Sequence, residues 1–285
     1  MDWLDGYRAA RIVERLGARE GWDVASSAKL QLDVASVPWR EMRDLVLDTR
    51  PEGGEERLAL ELLRGWDGEV SAGSAAASVF ELFVAELAAT IARESAPHSW
   101  PWAMGAGFGD AIGRTEFGAR TVSRLVTDLL ADPDRGEQIR SALRVAMERL
   151  VASRGPEPAT WGWGSLRPLR LRHPLGVAGL LDRMLNLGPV PLGGDTNTVA
   201  QAGVQPLDPT ANPAAIANHR MVVDLATPDE SRYVIAGGQS GNPLSAHYAD
   251  LFELWQRGEG VPIAWSPEAV AATTRDLLTV QPAGR

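Results

Sequence analysis

Cysteine is absent from the 285-residue chain, which excludes disulfides, thiolate catalysis and cysteine-ligated zinc or iron–sulfur centres in one step. Lysine is nearly absent: Lys29 stands alone among many arginines. That leaves little for a lysine Schiff base and nothing for a P-loop, whose phosphate grip needs a lysine after its glycines. Apolar runs are broken by charge or glycine before the roughly 20 residues that span a bilayer. The opening Met1-Asp2-Trp3-Leu4-Asp5 is acidic, so neither signal peptide nor membrane anchor is expected. Positive charge is in deficit, with a formal net charge of −9 and a pI near 5.1. Nucleic acid would meet a repulsive field, and the densest basic cluster, Arg167, Arg170 and Arg172, is short.

What is present fits a soluble globular protein: 45% hydrophobic and 23% charged residues. The length allows one large unit or two. Apolar residues recur at three- and four-residue intervals over Gly6–Leu16, Pro38–Leu47, Glu55–Leu63 and Ser74–Ile91, which predicts amphipathic helices. In the last of these Val79, Leu82, Phe83, Leu87 and Ile91 share a face with Glu81 and Glu86 at its edge, and Pro97 and Pro101 close it. Further helices are expected over Thr115–Leu130 and Asp134–Val151. Gly155–Pro174, rich in Gly, Pro, Trp and Arg, reads as an ordered loop held by aromatic packing. Beyond Pro189, the runs Thr198–Val204, His219–Leu225 and Arg232–Ala236 read as strands, and Ala246–Arg257 and Pro267–Leu278 as closing helices. Helices, then strands, then helices spell α+β rather than alternating βαβ units. The expected organisation is a mainly helical region, 1–188, followed by strands and closing helices, 189–285.

The chemical signals are sparse. Gly105-Ala106-Gly107-Phe108-Gly109 lacks the dinucleotide spacing and a following lysine, and reads as a loop. His98, His173, His219 and His247 show no metal-ligand spacing, and His173 before Pro174 fits a loop-fixing role. A Gly-x-Ser-x-Gly elbow is missing, since Gly238-Gln239-Ser240-Gly241 has the wrong spacing and Gly162-Trp163-Gly164-Ser165 lacks the second glycine. Glu55-Glu56 and Asp132/Asp134 fall at helix starts and read as solvated surface. Trp161 and Trp163 beside Arg167 could form an aromatic-cationic platform, with packing the simpler use.

Several separate segments nevertheless recur in one order. They are Trp66-Asp67-Gly68 with Ser74-Ala75-Ala76, Trp161-Gly162-Trp163-Gly164 leading to Arg172-His173-Pro174-Leu175, and Gly193-Gly194-Asp195 with Asn197-Thr198-Val199. His219-Arg220-Met221-Val222-Val223-Asp224-Leu225, Gly237-Gly238-Gln239-Ser240-Gly241-Asn242-Pro243-Leu244-Ser245, His247-Tyr248 and Leu254-Trp255 complete the series. Together they resemble the C-terminal part of the β chain of the penicillin acylase family of N-terminal nucleophile hydrolases. The resemblance implies an α+β fold containing an incomplete αββα core, and hydrolysis of the amide of an N-acylated small molecule such as a β-lactam or an acyl-homoserine lactone. It also implies a nucleophilic N-terminal Ser, typically followed by Asn, whose own α-amino group serves as base through a water. No Ser-Asn pair occurs in this chain, and removal of Met1 would expose Asp2, which carries no hydroxyl. The family's oxyanion-hole Asn and calcium ligands fall before the matching region, so neither metal nor cofactor is expected here. Arg8, in Tyr7-Arg8-Ala9-Ala10-Arg11-Ile12, matches a family arginine that helps arrange the pocket, with Arg11 the fallback. The expected partners are an upstream acylase polypeptide or a second copy, and a small amide substrate once complemented, with no nucleic acid or membrane. A noncatalytic binding protein and a truncated fragment are the alternatives. Family precursors are often exported, which leaves localisation open.

Overall fold

The computed structural model describes residues 5–104, 106, 125–127, 131, 135–213 and 215–282. The fold is α+β. Its helices are α1 (Tyr7–Gly17), α2 (Val24–Leu30), α3 (Val37–Leu47), α4 (Gly54–Arg64), α5 (Ala75–Ser95), α6 (Gly136–Arg154), α7 (Gly179–Leu185), α8 (Phe252–Arg257) and α9 (Pro267–Thr273). Strands β1 (Leu169–Leu171) and β2 (Leu187–Val190) form one antiparallel pair. Strands β3 (His219–Val222), β4 (Arg232–Ile235) and β5 (Val261–Pro262) form a sheet in the order β3-β4-β5. The chain divides into two compact units, Met1–Glu20 with Leu32–Ala217, and Gly21–Gln31 with Asn218–Arg285.

The first unit is built around α5. Ser74 caps it by accepting the Ala77 N–H at 3.1 Å, and its Ala, Val, Leu and Phe residues pack against α4 and α6. Phe83 and Leu87 are fully buried, each contributing about 1.5–3 kcal/mol of hydrophobic stabilisation. Trp39 of α3, Trp66 and Phe80 meet with ring centroids 5.3–5.5 Å apart. α5 is interrupted by Glu81 and Glu86 as the sequence shows, yet its 21 residues, with a mean hydropathy of 1.7 over 18 of them, are long and apolar enough to cross a membrane by those measures alone. Its burial by neighbouring helices makes it a core element. It ends before Pro97 as expected, whereas Pro101 sits in the first turn of a short helix, Trp100–Ala103, a position that needs no N–H from it.

Three further expectations change. Glu56 is 1% exposed rather than solvated: its carboxylate accepts the N–H groups of Glu52 and Gly53 at 2.6 and 3.0 Å, completing the start of α4. Arg144 of α6 lies 3.3 Å away. Thr198–Val204 forms no strand; its N–H groups go to scattered acceptors, Thr198 to Asp195 Oδ1, Ala200 to the Asp33 carbonyl and Val204 to Thr196 Oγ1, and only the isolated bridge Ala202↔Ile216 forms. Glu81 lies inside the core, not at its edge, with 7% exposure. The Gly105–Gly109 loop apart from Ala106, the Thr115–Leu130 helix apart from Leu125–Thr127, and Asp132–Asp134 lie outside the described residues. The Trp-rich segment is ordered by packing but is not all loop, since it holds a short helix, Trp163–Leu166, and β1: Trp161 and Trp163 are fully buried, and Ser78 of α5 donates to the Trp161 carbonyl at 2.6 Å.

In the second unit α2 lies against β3, with Gln31 Nε2 donating to the Met221 carbonyl at 2.9 Å. Trp255 of α8 is 1% exposed and is covered by Arg220, 4.7 Å from its ring centre. Both closing helices are shorter than the sequence suggests. Residues ahead of α8 instead turn on side-chain acceptors, Asn242 Oδ1 taking the Leu244 N–H and Ser245 Oγ the His247 N–H.

Candidate functional site

Five of the polar residues buried in the first unit, Glu81, Arg167, Asp195, Asn197 and Thr198, meet at one turn, Gly193–Thr198. Gly194 holds φ +83°, and a Cβ there would overlap the Ala200 carbonyl oxygen, so the turn demands glycine. Its carbonyl accepts Trp163 Nε1–H at 2.9 Å and an Arg167 Nη2–H at 3.2 Å. The next residue, Asp195, is 3% exposed. Its Oδ1 accepts the N–H groups of Asn197 and Thr198 at 2.6 and 2.7 Å, while Thr198 Oγ1 accepts the Asp195 N–H at 3.0 Å.

Three side chains face this turn. Glu81 comes from the middle of α5 and lines the same cavity as Asp195. Burial first, and then the Asp195 charge and hydrogen bond, push the Glu81 carboxyl well above its ordinary range, with Arg167 opposing. The direction of this shift favours the protonated form of Glu81 beside Asp195. Arg167, 1% exposed, stacks over Trp163 at 4.5 Å and donates to the carbonyls of Gly203 and Ala202 at 2.9 and 3.1 Å. Burial lowers it to about 10 against the raising influence of Glu81 and Asp195, so it remains a cation at neutral pH. The Trp163–Arg167 platform thus serves packing, and the basic cluster is dispersed: Arg170 pairs with Asp182 at 2.9 Å.

Arg8 is the third. It projects from the first turn of α1, half-buried, and donates through Nη2 to the Thr196 carbonyl at 2.7 Å and through Nε to the Thr198 carbonyl at 3.2 Å. Burial lowers its pKa while Asp195 raises it. Arg11, the fallback, is committed elsewhere, in a two-pronged pair with Asp33 at 2.7–3.1 Å. A cavity of about 40 Å³ opens beside the carboxyl pair, walled by Phe80, Val84, Ala88 and Val204 with Glu81 and Asn197 as polar lining. Glu81 Oε1 has no hydrogen-bond partner among the described residues. The space suffices for a water or the tip of a small ligand.

The other candidates stay local. His173 Nδ1 accepts the Leu175 N–H at 3.1 Å, and His247 Nδ1 lies 2.7 Å from Asp250. Among the described residues no group of three His, Asp or Glu side chains is placed to hold a metal. Sequence reasoning singled out Arg8 and quoted Asp195 only inside a motif; it missed the pairing of Asp195 with Glu81. The available signal was a carboxylate in a helix that is apolar on every side.

A sequence model of the penicillin amidase family matches residues 1–272. The chain is 32% identical over 291 residues to penicillin acylase 2 proenzyme of Pseudomonas sp. (strain SE83), covering 95% of this chain and 35% of that protein. It is 32% identical over 285 residues to acyl-homoserine lactone acylase QuiP of Pseudomonas putida (strain KT2440), covering 90% of this chain and 34% of that protein. Among solved structures, the thermostable penicillin G acylase from Alcaligenes faecalis superposes with a TM-score of 0.56 at 19% identity, over 99% of this chain and 54% of that chain. The chain thus spans about a third of the length of the curated relatives it matches.

Proposed function

The chain belongs to the penicillin amidase family, and from that premise we propose that it is part of an amidohydrolase for N-acylated small molecules, completed by an upstream acylase polypeptide. The observation that carries this reading is coverage: relatives named as acylases match nearly all of this chain with about a third of their own length. In the proposed assembly residues 1–285 are part of a β-chain domain. The upstream portion supplies a serine hydroxyl that attacks the amide carbonyl, an amine that takes its proton, and donors for the oxyanion. The acyl group passes to the serine as the amine leaves, and water then releases the acid. Arg8 is the contribution of this chain, a supporting residue that helps arrange the pocket.

Surface features support an assembly. Leu175, Val177, Leu180, Leu181 and Met184 around α7 are 50–82% exposed, a run of large apolar side chains that monomeric proteins normally cover. Among the described residues only β4 is paired on both sides, and open strand edges invite a further strand. The substrate is an amide carrying an aromatic or a fatty acyl group, on a β-lactam or a homoserine lactone.

The test is hydrolysis of chromogenic phenylacetyl and long-chain acyl anilides by the purified chain, alone and mixed with the upstream portion of a family acylase. Turnover only in the mixture is expected. Turnover by the chain alone would overturn the need for a partner, and silence in both would favour a noncatalytic binding protein.

A further inference from the structure

Arg8 and Asp195 carry opposite charge and feel each other, yet they interact only at a distance. The guanidinium bonds two backbone carbonyls instead. This arrangement needs an explanation, because a half-buried arginine beside a carboxylate ordinarily takes it in a two-pronged pair. Arg11 does so with Asp33 on the same helix.

The explanation lies in what already occupies Asp195. One carboxylate oxygen holds the N–H groups of Asn197 and Thr198, and Glu81 lines the same cavity as the group. Thr196 is fixed in addition by its own hydroxyl, which accepts the Val204 N–H at 2.9 Å. The backbone is thereby folded so that the carbonyls of Thr196 and Thr198 both face α1, at a spacing that fits Nη2 and Nε of one guanidinium edge. Nη1 has no hydrogen-bond partner among the described residues.

We propose that Asp195 is a positioning residue for Arg8: by folding the 195–198 turn it clamps one edge of the guanidinium and presents the other edge, Nη1, to an acceptor on the bound amide substrate. The role rests on the reading of Arg8 as a site residue, whereas the clamp itself can be measured without any activity.

The measurement is the side-chain Nε–H signal of Arg8 in the full chain, assigned by loss in Arg8→Lys and followed by NMR hydrogen exchange. The Nε–H of Arg11, held by Asp33, is the internal control for the seating of α1. In Asp195→Ala the Arg8 proton should exchange at least about tenfold faster, as loss of a buried hydrogen bond allows, with Arg11 unchanged. Asp195→Asn keeps an oxygen for both N–H groups while removing the charge, and Glu81→Gln keeps a donor to Asp195. Both should leave Arg8 slow. An Arg8 proton unmoved in Asp195→Ala would overturn the clamp, and so would a freed one in folded Asp195→Asn, since direct charge attraction would then be holding it. Should Asp195→Ala not fold, Asp195→Asn alone decides. In the complemented enzyme, Asp195→Ala should lower kcat/KM as Arg8→Ala does, by about a hundredfold for a misplaced site group, with the double variant no worse and Asp195→Asn rescued. Absence of turnover even with the unaltered chain would sink the hydrolase reading and leave the clamp to the exchange data.

Discussion

Gly194 of the buried turn and Glu81 beside it have consequences that stability measurements can read. Gly194 combines a left-handed backbone with a close approach to Ala200. Gly194→Ala should therefore cost more than about 1 kcal/mol, the usual bound where φ is positive and space is absent. Urea unfolding would show it as a lower midpoint with an unchanged slope. Glu81 makes a pH-dependent contribution whose sign follows from its raised carboxyl. The folded state holds a proton that the unfolded chain releases near the ordinary value of 4.5, so this contribution is complete below 4.5 and is lost as pH rises toward the elevated folded value. Glu81→Gln keeps the neutral donor and carries no such dependence. The stability difference between the native chain and Glu81→Gln, measured by urea melts at pH 5 and pH 8, should thus shift in favour of the variant at pH 8. A difference that is flat with pH would mean that Glu81 is ionised throughout.

At the scale of elements, the start of α4 and the surface of α7 show opposite uses of a side chain. The Glu56 carboxylate is desolvated by burial, yet the Glu52 and Gly53 N–H groups with Arg144 and Arg140 outweigh this and hold it below its usual range. Glu56→Ala should cost about 1–2 kcal/mol, the worth of a good N-terminal cap. The cost should be larger at pH 7 than at pH 3, because stability from a lowered carboxyl disappears as it protonates. On α7, by contrast, Leu180 is 71% exposed and holds nothing together in the chain itself. Leu180→Asp should move its thermal midpoint by no more than a surface change does, within about ±0.5 kcal/mol. If α7 is covered by the upstream portion, the same change should weaken complementation at least tenfold in a titration of regained hydrolysis. Unaltered complementation would place the contact elsewhere.

For the whole molecule, the proposed partner makes a thermodynamic prediction independent of catalysis. A polypeptide that binds only the folded chain stabilises it by about 2.7 kcal/mol when present at a hundred times its dissociation constant. The thermal midpoint of the chain should therefore rise on addition of the upstream portion of a family acylase and keep rising with its concentration. A midpoint indifferent to that addition would count against assembly even if both polypeptides were well folded. Net charge of −9 should meanwhile keep the chain off heparin and DNA columns at physiological salt.

Much of this protein was determined by sequence alone. Periodic apolar residues specified α1, α3, α4, α5 and α6 to within a few residues, because a helix that buries one face must repeat every three or four positions. The order of the motifs from Trp66 to Trp255 carried the family, and the missing cysteines and the single lysine excluded whole chemistries. Tertiary structure decided the rest. Short elements such as α2, α7 and β1 were illegible because a turn or two of chain carries no period. Thr198–Val204 carried strand-forming residues, but its N–H groups at Thr198, Ala200 and Val204 went to Asp195, Asp33 and Thr196 instead of a neighbouring strand. Glu81 and Asp195 are separated by more than a hundred positions, so no local pattern could show that they meet beside the turn that holds Arg8. Sequence sets which surfaces must be buried, whereas the meeting of two particular polar groups inside them depends on how the elements pack.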